Sequence, residues 1–209
     1  MLKVGLTGGL ACGKTTVAGM FEKRGARVVF ADDIAHHLLD PGTSVHDAVV
    51  VAFGRDILEP DGTISRPRLA DLAFRGRIQE LNAIIHPAVI RAQEEWMEEI
   101  GRGDPHAIAI VEAALMIEAG AHKRFDKLIT VICGFEQKVT RLAARMNLSP
   151  DAARAEVERR MKSQLPDEQK AALADFVIDN SGNISELEAQ VEQIWTALVA
   201  AESDERTGV

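Results

Sequence analysis

The stretch "GLTGGLACGKTT" at residues 5–16 constrains the fold of this chain more than any other. Gly8, Gly13, Lys14 and Thr15 fit G-x-x-x-x-G-K-[ST], a spacing that cradles nucleotide phosphates. Glycines let the backbone wrap so that successive N–H groups face a phosphate, and the N-terminus of the following helix adds its dipole. Lys14 would bridge the β- and γ-phosphates, and Thr15 would offer its hydroxyl to Mg²⁺. Such a loop needs a strand before it and a helix after it. "LKVGLT" (2–7) reads as the strand, and Val17, Met20 and Phe21 fall on one side of a helix. Gly9, Leu10, Ala11, Cys12, Gly13, Lys14, Thr15 and Thr16 are therefore the nucleotide-contacting candidates. Ala11 sits where such loops often carry glycine. It predicts a backbone open to L-residues, because a left-handed one costs ~1–2 kcal/mol. Cys12 is expected to lie within reach of a bulky thiol reagent that would compete with nucleotide.

Further along, short runs rich in β-branched residues recur at "ARVVFA" (26–31), "HAIAIVE" (106–112), "KLITVIC" (127–133) and "DFVID" (175–179). They alternate with longer helical patterns. The fold class is α/β: a P-loop NTPase three-layer fold with a five-stranded parallel sheet core. Between the second and third strands lie roughly 75 residues, where about 12 would make a crossover. This insert (32–105) is helical in pattern, with a polar turn at "EPDGTIS". Residues 135–173 read as helices broken at 147–150 and near Pro166, with Ser149 as N-cap, Pro150 at N1 and Asp151 in the first turn. The expected division is a core (1–31, 106–134, 174–200), a helical acceptor lobe (32–105), a helical lid (135–173) and a frayed tail (201–209). Ser185 and Glu188 predict a capping box for the closing helix, followed by Leu187, Val191, Ile194, Trp195 and Leu198 at helical spacing.

Charge narrows the partners. A formal net charge of −8 argues against a general nucleic-acid binder, which needs a basic face. An anionic ligand must then be held by local positive features. No apolar run approaches the ~18 residues of a membrane span, and the amino terminus lacks the charged and apolar regions of a signal peptide. Cys12 and Cys133 have no CxxC or Cys/His company. They predict reduced thiols in a cytosolic protein, not a disulfide framework or a zinc site.

Several residues are candidates for the chemistry. Asp32 and Asp33 follow the second strand, at the carboxyl edge where open α/β sheets bind ligands. A carboxylate there can take the proton of an attacking hydroxyl and help orient Mg²⁺, or it can cap the helix "DDIAHHLL". Glu112 ends the apolar run "IAIVE" and is open to a role near a magnesium-bound water or to a structural one. Arg141 and Arg145 share a helix face with no acidic residue three or four positions away. That arrangement suits an external polyanion, and a solvated basic face is the alternative. Arg159 and Arg160 are weaker candidates, since Glu156 lies within helical reach of both. The "HP" at 86–87 predicts a helix whose first residue is Pro87, with His86 open to a place facing the acceptor lobe.

In order, "GLTGGLACGKT", "ADDIAH", "LNAIIHP", "ALMIE", "RLAAR", "RRMKSQLP" and "KAALADFVIDNSG" make up a set that resembles the dephospho-coenzyme A kinase family, over nearly the whole chain to about residue 199. The resemblance implies transfer of the ATP γ-phosphate to the ribose 3′-hydroxyl of dephospho-coenzyme A, with Mg²⁺ as cofactor. It implies Asp32 as base and metal-side carboxylate, Lys14 and Thr15 on phosphate and magnesium, and Arg141 and Arg145 as lid arginines. It also implies Asn180 and Gly182 of the "DNSG" loop near the adenine; His86 and Glu118 are the candidates for the acceptor side. Phe30, Ala114 and Ile117 depart from the family pattern. Rival expectations are another small-molecule P-loop kinase and a GTP-dependent switch. The second is disfavoured because no N-K-x-D occurs and the D-x-x-G at 179–182 follows the fifth strand.

Overall fold

The computed structural model describes residues 1–207, with side chains through Asp204. Its strands are β1 (Leu2–Gly8), β2 (Arg27–Phe30), β3 (Ile108–Glu112), β4 (Lys127–Ile132) and β5 (Phe176–Asp179). They form one sheet in the order β2-β3-β1-β4-β5. Pairing is parallel between β1 and β3, β1 and β4, and β4 and β5. Each strand falls within two residues of its expected limits. Unbroken burial of Ile108–Val111 and Leu128–Val131 is what a parallel sheet covered on both faces demands. Edge strand β5 buries only Ile178 fully.

The chain divides into two compact units, residues 1–28 with 100–209 and residues 29–99. In the first, α1 (Lys14–Glu22) and α9 (Ile184–Thr207) pack together, and α8 (Asp167–Leu173) lies against β4. Helices α6 (Phe135–Met146) and α7 (Pro150–Met161) form a hairpin around Val139, Leu142, Ala153 and Val157. Ser149 caps α7 as expected, its side chain accepting from the Ala152 N–H.

Helix α9 starts earlier than expected. The capping box is Asn183 with Glu186, not Ser185 with Glu188: the Glu186 N–H donates to Asn183 Oδ1 at 3.0 Å and the Asn183 N–H to Glu186 Oε2 at 3.2 Å. Both tetrads carry the pattern. Choosing the earlier one puts buried Leu187 on the core side of the first turns. At its other end α9 extends to Thr207, through most of the polar segment expected to fray; residues 208–209 lie outside the described residues.

In the second unit, α2 (Ala31–Leu38), α3 (Ser44–Phe53), α4 (Arg66–Leu72) and the first part of α5 (Ile78–Gly103) surround Val45, Val49, Phe53, Ile57, Leu69 and Ala88. The polar turn is held by Asp61, which accepts from the N–H and hydroxyl of Thr63 at 3.0 and 2.6 Å. Pro87 does not begin a helix; it sits inside α5. An internal proline costs about 3 kcal/mol. Burying Ala88 and packing Leu81, Ile84 and Ile85 on the same core offsets that loss.

Candidate active site

The phosphate-loop candidates gather at the carboxyl edge of central β1. Gly8 ends that strand opposite Val131 of β4. A Cβ there would stand 2.1 Å from the Val131 carbonyl oxygen, so only glycine lets the chain turn off the sheet. Gly13 is the N-cap of α1 in left-handed conformation, and no side chain caps the helix. Its first-turn N–H groups are therefore open to an anion, with the helix dipole behind them. Thr15 and Thr16 are exposed on this turn. Lys14 Nζ lies across the loop, 3.3 Å from Gly8 O and 3.2 Å from Gly9 O.

Ala11 does not adopt the conformation its side chain predicts. Its φ is 54°, in the left-handed region. Neighbours on both sides fix the turn: Leu10 packs into the α6–α7 core, and Cys12 is fully buried. Ala11→Gly is expected to stabilise the chain by about 0.5–1 kcal/mol. The relief of ~1–2 kcal/mol is partly offset by glycine's greater freedom when unfolded, ~0.4–1 kcal/mol. A urea midpoint at or below wild type would show that no strain resides there. The burial of Cys12 also overturns the expected access of a bulky thiol reagent to this residue.

Arg141 reaches the loop from α6. Its guanidinium donates to Asn180 O at 2.9 Å, to Asn180 Oδ1 at 3.3 Å and to Ala11 O at 3.5 Å. Asn180 in turn donates through Nδ2 to Cys12 O at 2.8 Å. Arg141 is thus tethered, yet only to uncharged acceptors, so among the described residues its charge is not neutralised by a carboxylate. Arg145, one turn further on, is exposed. Arg159 and Arg160 both bond Glu156, holding its carboxyl well below the usual range, at about 2. Gly182 lies in the exposed turn before α9, beyond the buried Asn180. Glu112 ends β3, half-buried and in register with Leu6 of β1.

Glu118 belongs to the first unit and is engaged within it. Its Oε1 accepts from Lys170 Nζ at 2.8 Å and from the Leu165 N–H at 3.1 Å, while Oε2 is buried without a hydrogen-bond partner. Ala114, one of the departures, gives its carbonyl to Thr7 Oγ1 at 3.3 Å and Lys170 Nζ at 3.4 Å.

Asp32 and Asp33 lie in the first turn of α2, in the second unit, both exposed. Neither is the N-cap; Phe30 holds that position without a side-chain bond. His36 follows Asp32 by one turn, on the same face. It lines a cavity of about 260 Å³ with Leu39, Asp40, Thr63, Ile64 and Arg66. His86 is exposed on α5 and is not one of those lining residues.

A buried ion pair under the loop has no counterpart in the sequence reading. Lys138 Nζ donates to Asp167 Oδ2 at 2.5 Å, and a Cβ on Gly9 would meet both side chains. Burial pulls the Lys138 ammonium down, but the Asp167 bond and the surrounding charges leave it above its ordinary value. Phe135, Lys138, Val139 and Leu142 share one helical stripe, so a lysine on an apolar face was the available signal.

A family model for dephospho-CoA kinase matches residues 2–186. The dephospho-CoA kinase of Geobacter sulfurreducens is 44% identical over 195 residues, covering 92% of this chain and 96% of its own. Among solved structures, TT1252 from Thermus thermophilus superposes with a TM-score of 0.78 at 29% identity, covering 94% of this chain and 97% of its own. The dephospho-CoA kinase from Campylobacter jejuni, at 23% identity, shares the fold with a TM-score of 0.69, over 95% of this chain and 98% of its own.

Proposed function

The chain belongs to the dephospho-CoA kinase family and is an ATP-dependent kinase acting at the last step of coenzyme A biosynthesis; from that premise we propose how its residues divide the work. The reaction moves the γ-phosphoryl group of ATP to the ribose 3′-hydroxyl of dephospho-coenzyme A. The observation that carries the assignment is the uncapped N-terminus of α1 beneath Gly13 and Lys14, with Arg141 bonded to the same loop. Positioning and charge stabilisation dominate phosphoryl transfer, and this arrangement supplies both.

Lys14 exchanges its two loop carbonyls for the β- and γ-phosphates. Arg141 releases Ala11 O and turns its planar fork to the charge that develops on the transferring group, assisted by Arg145. Gly9 to Thr16 hold the triphosphate, and Asn180 and Gly182 border the base. Asp32 accepts the proton of the attacking 3′-hydroxyl. The cavity beside His36, on the Asp32 face of α2, receives part of the acceptor. His86 and Glu118 are assigned to the acceptor side, Glu118 indirectly through Leu165 and Lys170. The segment 135–173 acts as a lid over the donor phosphates and the unit 29–99 as the acceptor lobe.

For Mg²⁺ the donor chemistry fits: Thr15 offers an exposed hydroxyl and Asp32 an exposed carboxylate, hard oxygens of the kind this ion takes alongside substrate phosphates. Bound with ATP, it supplies neutralisation of charge on the phosphate oxygens. A cytosolic site of action without nucleic-acid partners accords with the two free thiols and the net charge of −8. No helix among the described residues is long and apolar enough to cross a membrane.

The test is phosphoryl transfer from ATP or GTP to a panel of dephospho-coenzyme A, nucleoside monophosphates and shikimate. Product from ATP with dephospho-coenzyme A alone is expected. Product confined to a nucleoside monophosphate would overturn the acceptor, and hydrolysis with no acceptor would favour a switch.

A further inference from the structure

We propose that Cys12 and Cys133 are a reversible redox modification site, in which peroxide joins them as a disulfide that withdraws the phosphate loop from ATP. The inference rests on the loop being the ATP site.

The two cysteines are 121 residues apart in the chain, yet their Sγ atoms lie 3.3 Å apart. Neighbouring parallel strands bring this about: Cys12 follows β1 and Cys133 follows β4, so both emerge at the same sheet edge. Closing the gap to the ~2 Å of a disulfide needs a shift of about one ångström. Cys12 is fully buried, whereas Cys133 is 8% exposed, which gives a small oxidant a way in that a bulky alkylator lacks.

Charge divides the roles. The bond between the sulfurs and burial hold the proton on Cys12, whose thiol is pushed far up. Cys133 is lowered by its bond to Cys12, against burial, with help from the Arg141 and Lys138 charges; the Asp167 carboxylate opposes them. Cys133 is therefore the nucleophile and Cys12 the resolving thiol.

In the first step the Cys133 thiolate attacks one oxygen of hydrogen peroxide. The O–O bond breaks, a sulfenic acid forms, and the departing hydroxide is protonated to water. The Cys12 sulfur then displaces hydroxide from that sulfenic sulfur, and its thiol proton completes the second water. Two thiols and one peroxide give one disulfide and two waters, with two electrons leaving sulfur.

The loop would feel the bond directly. Cys12 N–H bonds Gly9 O at 3.4 Å, and Cys12 O holds Asn180. Tying Cys12 to β4 pulls both off position, one residue from Gly13. Misplacement of about one ångström at a reacting site can cost on the order of 10²-fold.

Reduced wild-type enzyme is first assayed for transfer to dephospho-coenzyme A. Failure there would overturn the kinase reading, while the disulfide would still be judged by mass. Hydrogen peroxide is then added, followed by dithiothreitol. The expected result is loss of the mass of two hydrogens from the denatured, unreduced chain and a fall in kcat/KM for ATP of at least roughly tenfold, both reversed by dithiothreitol. Cys133→Ser, or Cys133→Ala should serine disturb the packing, keeps reduced activity and shows neither change. Mass loss without loss of activity would overturn the proposal. So would inactivation without mass loss, or a Cys133 variant inactivated at the wild-type rate.

Discussion

Lys14→Ala is expected to lower kcat for dephospho-coenzyme A phosphorylation by on the order of 10³-fold while leaving the chain folded. The side-chain ammonium donates to the Gly8 and Gly9 carbonyls at 3.3 and 3.2 Å, and the residue lies half-buried at the start of α1. Bound nucleotide changes the balance. In the proposed assignment the ammonium then faces the oxygens that gain charge as the phosphoryl group departs, and no other lysine belongs to the loop. Truncation removes a transition-state contact at little cost to packing. Steady-state kinetics paired with thermal melting decide the matter: near-normal turnover would overturn the loop assignment, and a collapsed melting curve would make Lys14 structural.

Asp32→Asn is expected to lower kcat by about 10²–10⁴-fold, the range of a general base, with ATP affinity close to wild type. The structure makes this substitution informative, because Asp32 is exposed in the first turn of α2 and does not cap it. Asparagine keeps the shape and forfeits only a favourable charge near a helix N-terminus, about 0.3–1 kcal/mol. A large turnover loss cannot then be charged to instability. Unchanged turnover with weakened ATP binding would give Asp32 a structural or metal-side role in place of the base.

The donor half of the site is legible in the sequence because its causes are local. A strand, a glycine turn and a helix start occupy consecutive residues, and the β-branched runs mark all five strands. What the sequence conceals depends on which strands become neighbours. Nothing near Cys12 hints at Cys133 until β4 is known to lie beside β1. Arg141 reads as unpartnered because carbonyls leave no trace in side-chain spacing, and Asn180 O and Ala11 O are its actual acceptors. Ala11 and Pro87 fail for the opposite reason. Local preference points one way there, and burial of Leu10 and Cys12, or of the α5 face, is worth more. Chemistry and resemblance single out Asp32, and its first-turn position follows from the helix beginning at Ala31.

The Lys138–Asp167 pair also bears on how the family can diversify. It joins the start of α6 to the start of α8, so the intervening 28 residues form a loop closed at its neck. Leu165, at the end of that span, is pinned separately to Glu118. Length changes at the neck would break a buried pair, whereas the exposed turn at Met146–Asn147 and Ser149–Pro150 lies far along the chain from it. Insertions, a fluorescent reporter or a recognition tag are best accommodated at that turn, where the hairpin can lengthen without disturbing the floor beneath Gly9.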